Sequence, residues 1–131
     1  MRQFADCGTQ VERLEWYRAM ARRYIEAVNS GDLEGVLACF AEDAEVWDPV
    51  FERGFFGKRA LRVFYEPVVT RTQLEVVGPI RGSFGNAIAA PVIARIPGTE
   101  VQVVTITRFN DAGLVQRYEA YWGPDDMKQT G

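Results

Sequence analysis

The chain contains no histidine, so proton transfer falls to carboxylates, tyrosines or lysines, and Ser-His-Asp catalysis, Cys-His catalysis and His-ligated metal are excluded. Three groups on separate segments could do acid/base work: Tyr24, Asp48 and Tyr65. A carboxylate held in an apolar cavity makes a general base, and a phenol beside it can donate to an oxygen that gains charge. Each residue also has a plain structural reading. A tyrosine on a buried helix stripe is more often a core aromatic with its hydroxyl partnered, and an aspartate before proline more often shapes a turn. Convergence on one cavity is what would make them a site.

The elements that must position them are legible. From Val11 to Val28 the residues Val11, Leu14, Tyr17, Met20, Ala21, Tyr24, Ile25 and Val28 recur at three- and four-residue steps, which predicts an amphipathic helix carrying Tyr24 on its buried stripe. Asn29-Ser30-Gly31 stops it, and Asp32 caps a second helix whose inward face is Leu33, Val36, Leu37 and Phe40. Ala44 to Asp48 reads as a short strand closed by Pro49, with Val46 and Asp48 on one side and Trp47 on the other. A third helix follows Gly57, with Leu61, Phe64, Tyr65 and Val68 at helical spacing. Leu74–Ile80, Ala87–Ile96, Val101–Phe109 and Leu114–Trp122 are β-rich runs separated by turn formers, which predicts an antiparallel meander. The expected class is α+β, three N-terminal helices packed on a strongly curved antiparallel sheet.

Composition bounds the rest. At 131 residues, 47% hydrophobic and 25% charged, the chain is expected to form one domain over 1–131, with 1–9 and 126–131 as flexible ends. No apolar run approaches the ~20 residues of a membrane span, and Met1 to Gln10 lacks an apolar signal segment, so a cytoplasmic protein without membrane partners is expected. Cys7 and Cys39 fit reduced thiols. A net charge of −3 argues against nucleic acid as a partner. Gly54 to Arg59 contains a Gly-Lys pair, but Glu52 stands where a P-loop needs its first glycine.

Arg23-Tyr24-Ile25-Glu26-Ala27-Val28, Gly31-Asp32, Phe40-Ala41-Glu42-Asp43-Ala44, Val46-Trp47-Asp48-Pro49 and Gly57-Lys58 resemble the first half of the ketosteroid isomerases, and Arg108-Phe109, Gly113-Leu114 and Ala120-Tyr121-Trp122 resemble their last two strands. The chain is thereby similar to the ketosteroid isomerase-like, SnoaL-like family of the nuclear transport factor 2-like superfamily. The resemblance implies a cone-shaped fold and a cofactor-independent isomerase without metal. It also implies that Asp48 is the base that moves a proton between allylic carbons, with Tyr24 the donor to the enolate oxygen and Tyr65 its supporting phenol. The ketosteroid isomerases themselves use a carboxylic acid, kept neutral by its apolar site, as a second donor. That position falls here at Thr105, which can give only one neutral hydrogen bond, and Phe40 stands in place of another usual phenol.

A second resemblance, to the epoxide hydrolase/cyclases of polyether pathways, rests on Asp48-Pro49, Gly57, Tyr65-Glu66-Pro67, Glu75 and Tyr121-Trp122-Gly123. It implies that Asp48 and Glu75 divide the work of opening an epoxide, provided Glu75 faces the cavity and not solvent. A binding module without chemistry is the third reading. The expected ligand is a small, largely apolar, oxygen-bearing molecule against Phe40, Ala90, Val92, Val103 and Trp122. An outer sheet face bearing Val104, Ile106, Val115 and Tyr121 is too apolar for water, which predicts a homodimer through the sheet.

Overall fold

Thr9 starts α1 (Gln10–Asn29) with a capping box: its Oγ1 accepts from the Glu12 backbone N–H, while Glu12 Oε1 accepts from the Thr9 backbone N–H, both at 3.1 Å. The buried stripe is Tyr17, Met20, Tyr24, Ala27 and Val28; the periodicity predicts all of these but Ala27, while Val11, which it places on the stripe, is exposed. Gly31 takes φ 73°, a left-handed conformation that glycine adopts without strain, and turns the chain into α2 (Leu33–Leu37), capped by the Asp32 carboxylate on the Gly35 N–H at 2.9 Å. The computed structural model describes residues 2–131; Met1, part of the expected domain and of its expected flexible end, lies outside the described residues.

Phe40 does not extend α2, as its helical spacing suggests. It opens β1 (Phe40–Trp47), because the second helix closes after a little more than one turn. β2 (Gly54–Phe56) folds back on β1, α3 (Lys58–Arg71) follows, and β3 (Gln73–Val76), β4 (Ala87–Ile96), β5 (Thr99–Phe109) and β6 (Val115–Tyr121) form the expected meander. The expected strand from Leu74 to Ile80 is interrupted at Gly78-Pro79, beyond which a single bridge joins Arg81 to Ala89. β7 (Met127–Gln129) pairs with β5.

The sheet runs β2-β1-β6-β5-β4-β3 and is mixed, which corrects the antiparallel expectation. β1 lies parallel to β6, with Val46 opposite Tyr118, while the other pairings are antiparallel. The long excursion through β2, α3, β3, β4 and β5 between β1 and β6 is what permits a parallel pair. Register shifts between Phe40 and Glu45 and between Arg108 and Phe109 bend the sheet around the helices. The second shift also turns Val115 inward, where it is buried, so it does not belong to the outer face.

Alternation along β5 sends Val101, Val103, Thr105, Thr107 and Phe109 to the helix side and Gln102, Val104 and Arg108 outward. Tyr17 of α1 stacks on Phe109 at 4.3 Å, and fully buried Leu61 and Tyr65 anchor α3. The segments expected as flexible ends carry structure: Phe4 packs on Trp16 and Tyr17 at 5.6 and 5.7 Å, and β7 is paired. Among the described residues, no helix is long and apolar enough to cross a membrane. Cys7 and Cys39 are buried free thiols.

Candidate functional site

Between α1, α3 and the concave sheet lies a cavity of about 190 Å³. Tyr24 enters it from α1, Tyr65 from α3, Asp48 from the end of β1, and Val103 and Thr105 from β5. Its remaining walls are mostly apolar, with Val68, Leu74, Ala94 and Ala120 among them.

Asp48 is half-buried and follows fully buried Val46 at the two-residue strand period. Its Oδ1 accepts a hydrogen bond from Trp122 Nε1 at 2.8 Å. Its backbone N–H donates to the Arg53 carbonyl at 3.0 Å and its own carbonyl accepts from Arg53 Nε at 3.1 Å, which ties the loop 48–53 around it. Burial raises the carboxyl pKa above its ordinary value, against the opposing pull of the Trp122 bond and the Arg53 charge. The carboxylate is therefore a stronger base than one in water, and the indole fixes its orientation.

Tyr24 and Tyr65 place their hydroxyl oxygens 2.9 Å apart, with either able to donate. Burial, above all, holds both phenols well above their ordinary pKa, and the Asp48 charge pushes them in the same direction. Both remain protonated, and so able to donate, at any neutral pH. Val92, Val103 and Trp122 line the same cavity, as expected.

Four expected positions need correction or refinement. Glu75 is on the solvent side of β3, where its carboxylate accepts from Arg95 Nη1 at 2.7 Å; alternation turns Leu74 into the cavity and Glu75 away from it. Phe40 is 1% exposed and packs behind the phenols, 6.0 Å from Tyr24 and 5.7 Å from Tyr65, without lining the cavity. Ala90 lines a narrower apolar recess of about 20 Å³, shared with Met20 and Ile88. Thr105 does reach the cavity, but its Oγ1 donates to the Ala90 carbonyl at a long 3.4 Å.

Among the lining residues that sequence reasoning passed over are Tyr118 and Arg53. Tyr118 of β6 sits 5.1 Å from the Tyr24 ring and lines both the cavity and the recess. Its place two residues before Ala120 on an alternating strand was a usable signal. Arg53 lines the cavity from an irregular loop, where no periodicity exists to reveal it. Among the described residues, no group of three or more Cys, Asp or Glu side chains gathers as a metal-ligand set.

Comparison with known proteins places this arrangement. Epoxide hydrolase LasB of Streptomyces lasalocidi is 29% identical over 122 residues, covering 86% of this chain and 43% of LasB, so the chain spans less than half the length of that relative. The steroid Delta-isomerase of Nocardioides simplex is 27% identical over 116 residues, covering 86% of this chain and 94% of the isomerase. Two solved structures share the fold: the epoxide hydrolase/cyclase-like enzyme SalBIII of pyran ring formation in salinomycin, and a computationally designed 17-OHP binder. The first has a TM-score of 0.83 at 21% identity, covering 89% of this chain and 98% of its own. The second has a TM-score of 0.82 at 23% identity, covering 88% and 97%. Residues 21–118 match the SnoaL-like domain, a span that includes Tyr24, Asp48, Tyr65, Thr105 and Tyr118, and the chain belongs to that family, on a nuclear transport factor 2-like fold.

Proposed function

We propose that this protein is an isomerase that shifts a carbon–carbon double bond in a small apolar ketone through an enolate. The observation that carries the reading is Asp48, a carboxylate made more basic by burial, facing the Tyr24–Tyr65 phenol pair across one apolar cavity. The ionised Asp48 takes a proton from the carbon between the carbonyl and the double bond. The electron pair moves onto the carbonyl oxygen, where the Tyr24 hydroxyl donates to the developing charge. Asp48 then returns the proton to the far end of the conjugated system, which restores both the ketone and the carboxylate. No cofactor enters this balance.

A preorganised donor in a water-poor cavity is worth far more than one in water. Thr105 adds little while its hydroxyl serves Ala90, so turnover rests on the Tyr24 donor. The volume of about 190 Å³ is below the usual 300–1,000 Å³ of drug-sized pockets, which favours a substrate with one or two rings inside and any remainder at the mouth beside Arg53.

A second reading is epoxide opening or cyclisation, favoured by the likeness to LasB. With Glu75 on the surface, it requires Asp48 to activate a hydroxyl or water while Tyr24 donates to the epoxide oxygen. The deciding test follows conjugated-enone absorbance from an unconjugated 3-ketosteroid and from a bicyclic β,γ-unsaturated ketone, for the native protein and Asp48→Asn. We expect native conversion and a loss of roughly 10²- to 10⁴-fold in the variant, the usual size of a positioned base. A folded native protein that converts neither ketone overturns the isomerase reading in favour of the epoxide one.

A further inference from the structure

We propose that Thr72 is a specificity-determining residue of the cavity, its hydroxyl binding a second oxygen of an elongated ligand whose ketone sits at Tyr24. The inference rests on the enolate reading above for the ketone end and adds the class of the substrate: a keto alcohol or a diketone, oxygenated at both ends.

Thr72 closes α3. Its backbone N–H donates to the Val68 carbonyl at 2.9 Å, and its extended backbone, φ −111° and ψ 135°, leads into β3. The residue is 9% exposed and lines the cavity. Two other threonine hydroxyls are engaged: Thr70, on the exposed side of α3, donates to the Pro67 carbonyl at 2.9 Å, and Thr105 donates to that of Ala90. Among the described residues, no partner engages the Thr72 hydroxyl, and every side-chain polar atom sealed away from solvent has one, so this oxygen is open to the cavity it lines. A hydroxyl without a partner in an apolar wall is a cost that a valine of the same shape would remove. A ligand oxygen at that point offsets it, and ligand sites fix orientation through a few such polar groups in an apolar lining.

The position of Thr72 sets the length of the ligand. Tyr65, bonded to Tyr24, marks the phenol end, and Thr72 follows it by seven residues, which returns to the same face of α3 after two turns, about 10 Å along the axis. The sheet agrees. Gln73 pairs with Arg95 and Leu74 with Ala94, which places Thr72 level with Ile96, whereas Thr105 pairs with Ala90, six positions back along β4. Val68, Leu74, Ala94 and Val101 wall the cavity with apolar surface, so a hydrocarbon frame fits between the two oxygens. Thr107 also has a hydroxyl without a recorded partner, but the recess it lines, about 20 Å³, admits only a water-sized group.

The experiment reads binding, without turnover. The probes are 4-phenylphenol, with a hydroxyl at one end of a two-ring frame, and 4,4′-biphenol, with a hydroxyl at each end of the same frame. Their dissociation constants are measured by calorimetry for the native protein, Thr72→Val, Thr72→Ser and Tyr24→Phe. A site built to bond a ligand oxygen discriminates against the analogue that lacks it. The native protein is expected to prefer the biphenol about tenfold: about twofold from its two equivalent ends and about fivefold from one neutral hydrogen bond. Thr72→Val keeps the shape of the side chain and is expected to reduce that preference to about twofold or below, with Tm no lower than native. Thr72→Ser keeps the hydroxyl and retains the preference. Tyr24→Phe weakens both probes, because each places a hydroxyl at the phenol end.

A native preference of about twofold or less, or a preference that Thr72→Val leaves intact, overturns the role of Thr72, whatever Tyr24→Phe does. A lowered Tm in Thr72→Val with the preference unchanged makes the hydroxyl a structural one and overturns it too, as does a native protein that binds neither probe. Loss of the preference in Thr72→Val, beside probes that Tyr24→Phe does not weaken, supports the Thr72 contact and removes the enolate donor, so the two readings fail separately.

Discussion

At the scale of the residue, Asp48 links function to stability with opposite signs. Its folded pKa is raised, so the folded state holds the proton more tightly than the unfolded chain does. The contribution to stability is fully present below the unfolded carboxyl pKa and is lost as pH rises through the folded one. At neutral pH the ionised group is therefore a local destabilisation that the fold tolerates for its basicity. Asp48→Asn is expected to raise Tm at pH 7 while lowering turnover roughly 10²- to 10⁴-fold, with the difference in Tm shrinking as the pH falls toward the ordinary carboxylate range. The same shift places the acid limb of kcat/KM above that range: activity falls as pH falls through the Asp48 pKa. A pH–rate profile on native protein and thermal melts on both proteins check the pair of signs. Glu75 provides the contrast. Glu75→Gln removes only a solvent-screened pair with Arg95, so Tm barely moves and turnover stays within about twofold. A large loss of turnover there would return Glu75 to the chemistry.

At the scale of the element, each catalytic candidate depends on how its segment ends. Tyr24 is positioned by a helix whose start is sealed at Thr9 and whose exit is bent at Gly31. A side chain at Gly31 requires a left-handed backbone that costs an L-residue about 1–2 kcal/mol. Gly31→Ala should therefore lower Tm by several degrees, and a lowered kcat would show that the α1–α2 corner helps to aim Tyr24; denaturant melts and steady-state kinetics read the two. Asp48 depends on β1 ending where it does, with the 48–53 loop folded back through Arg53. β1 is longer than Ala44 to Asp48 because residues 40–44 form strand where helical spacing also accommodates them. Phe40 lies three and four residues after Leu37 and Val36, which fits the helical period, and the exposed Glu42 two residues on gives it no apolar strand partner, so its spacing reads as helix. The short strands β2 and β7, three residues each, carry too few alternating positions to leave a signal.

At the scale of the whole molecule, the convex side of the sheet is unevenly dressed. Val104 and Tyr121 are 47% and 39% exposed, and Val77 adds to them at 48%, while Glu119 is held between Arg108 and Arg117 at 3.3 and 3.2 Å. We carry the homodimer forward as a proposal on that apolar part of the face. Sedimentation at micromolar concentration is expected to give twice the monomer mass, and Val104→Arg to return it to monomer. Sedimentation as monomer alone would remove the proposal.

The amino-acid sequence by itself determined the order of the three α-helices and of five of the seven strands, most of the buried stripe of α1, the side-chain alternation that places Val46 with Asp48, and the family. These follow from local periods and local motifs, which one segment carries without the others. What only the tertiary structure decided are the relations between segments. The parallel pairing of β1 with β6 comes from a long crossover, and the inward turn of Val115 from a register shift at Arg108. The Asp48–Trp122 hydrogen bond joins residues 74 positions apart, and the Tyr24–Tyr65 bond residues 41 apart. The solvent-facing Glu75 depended on which face of β3 met the helices, because a strand offers both faces equally until something packs on one.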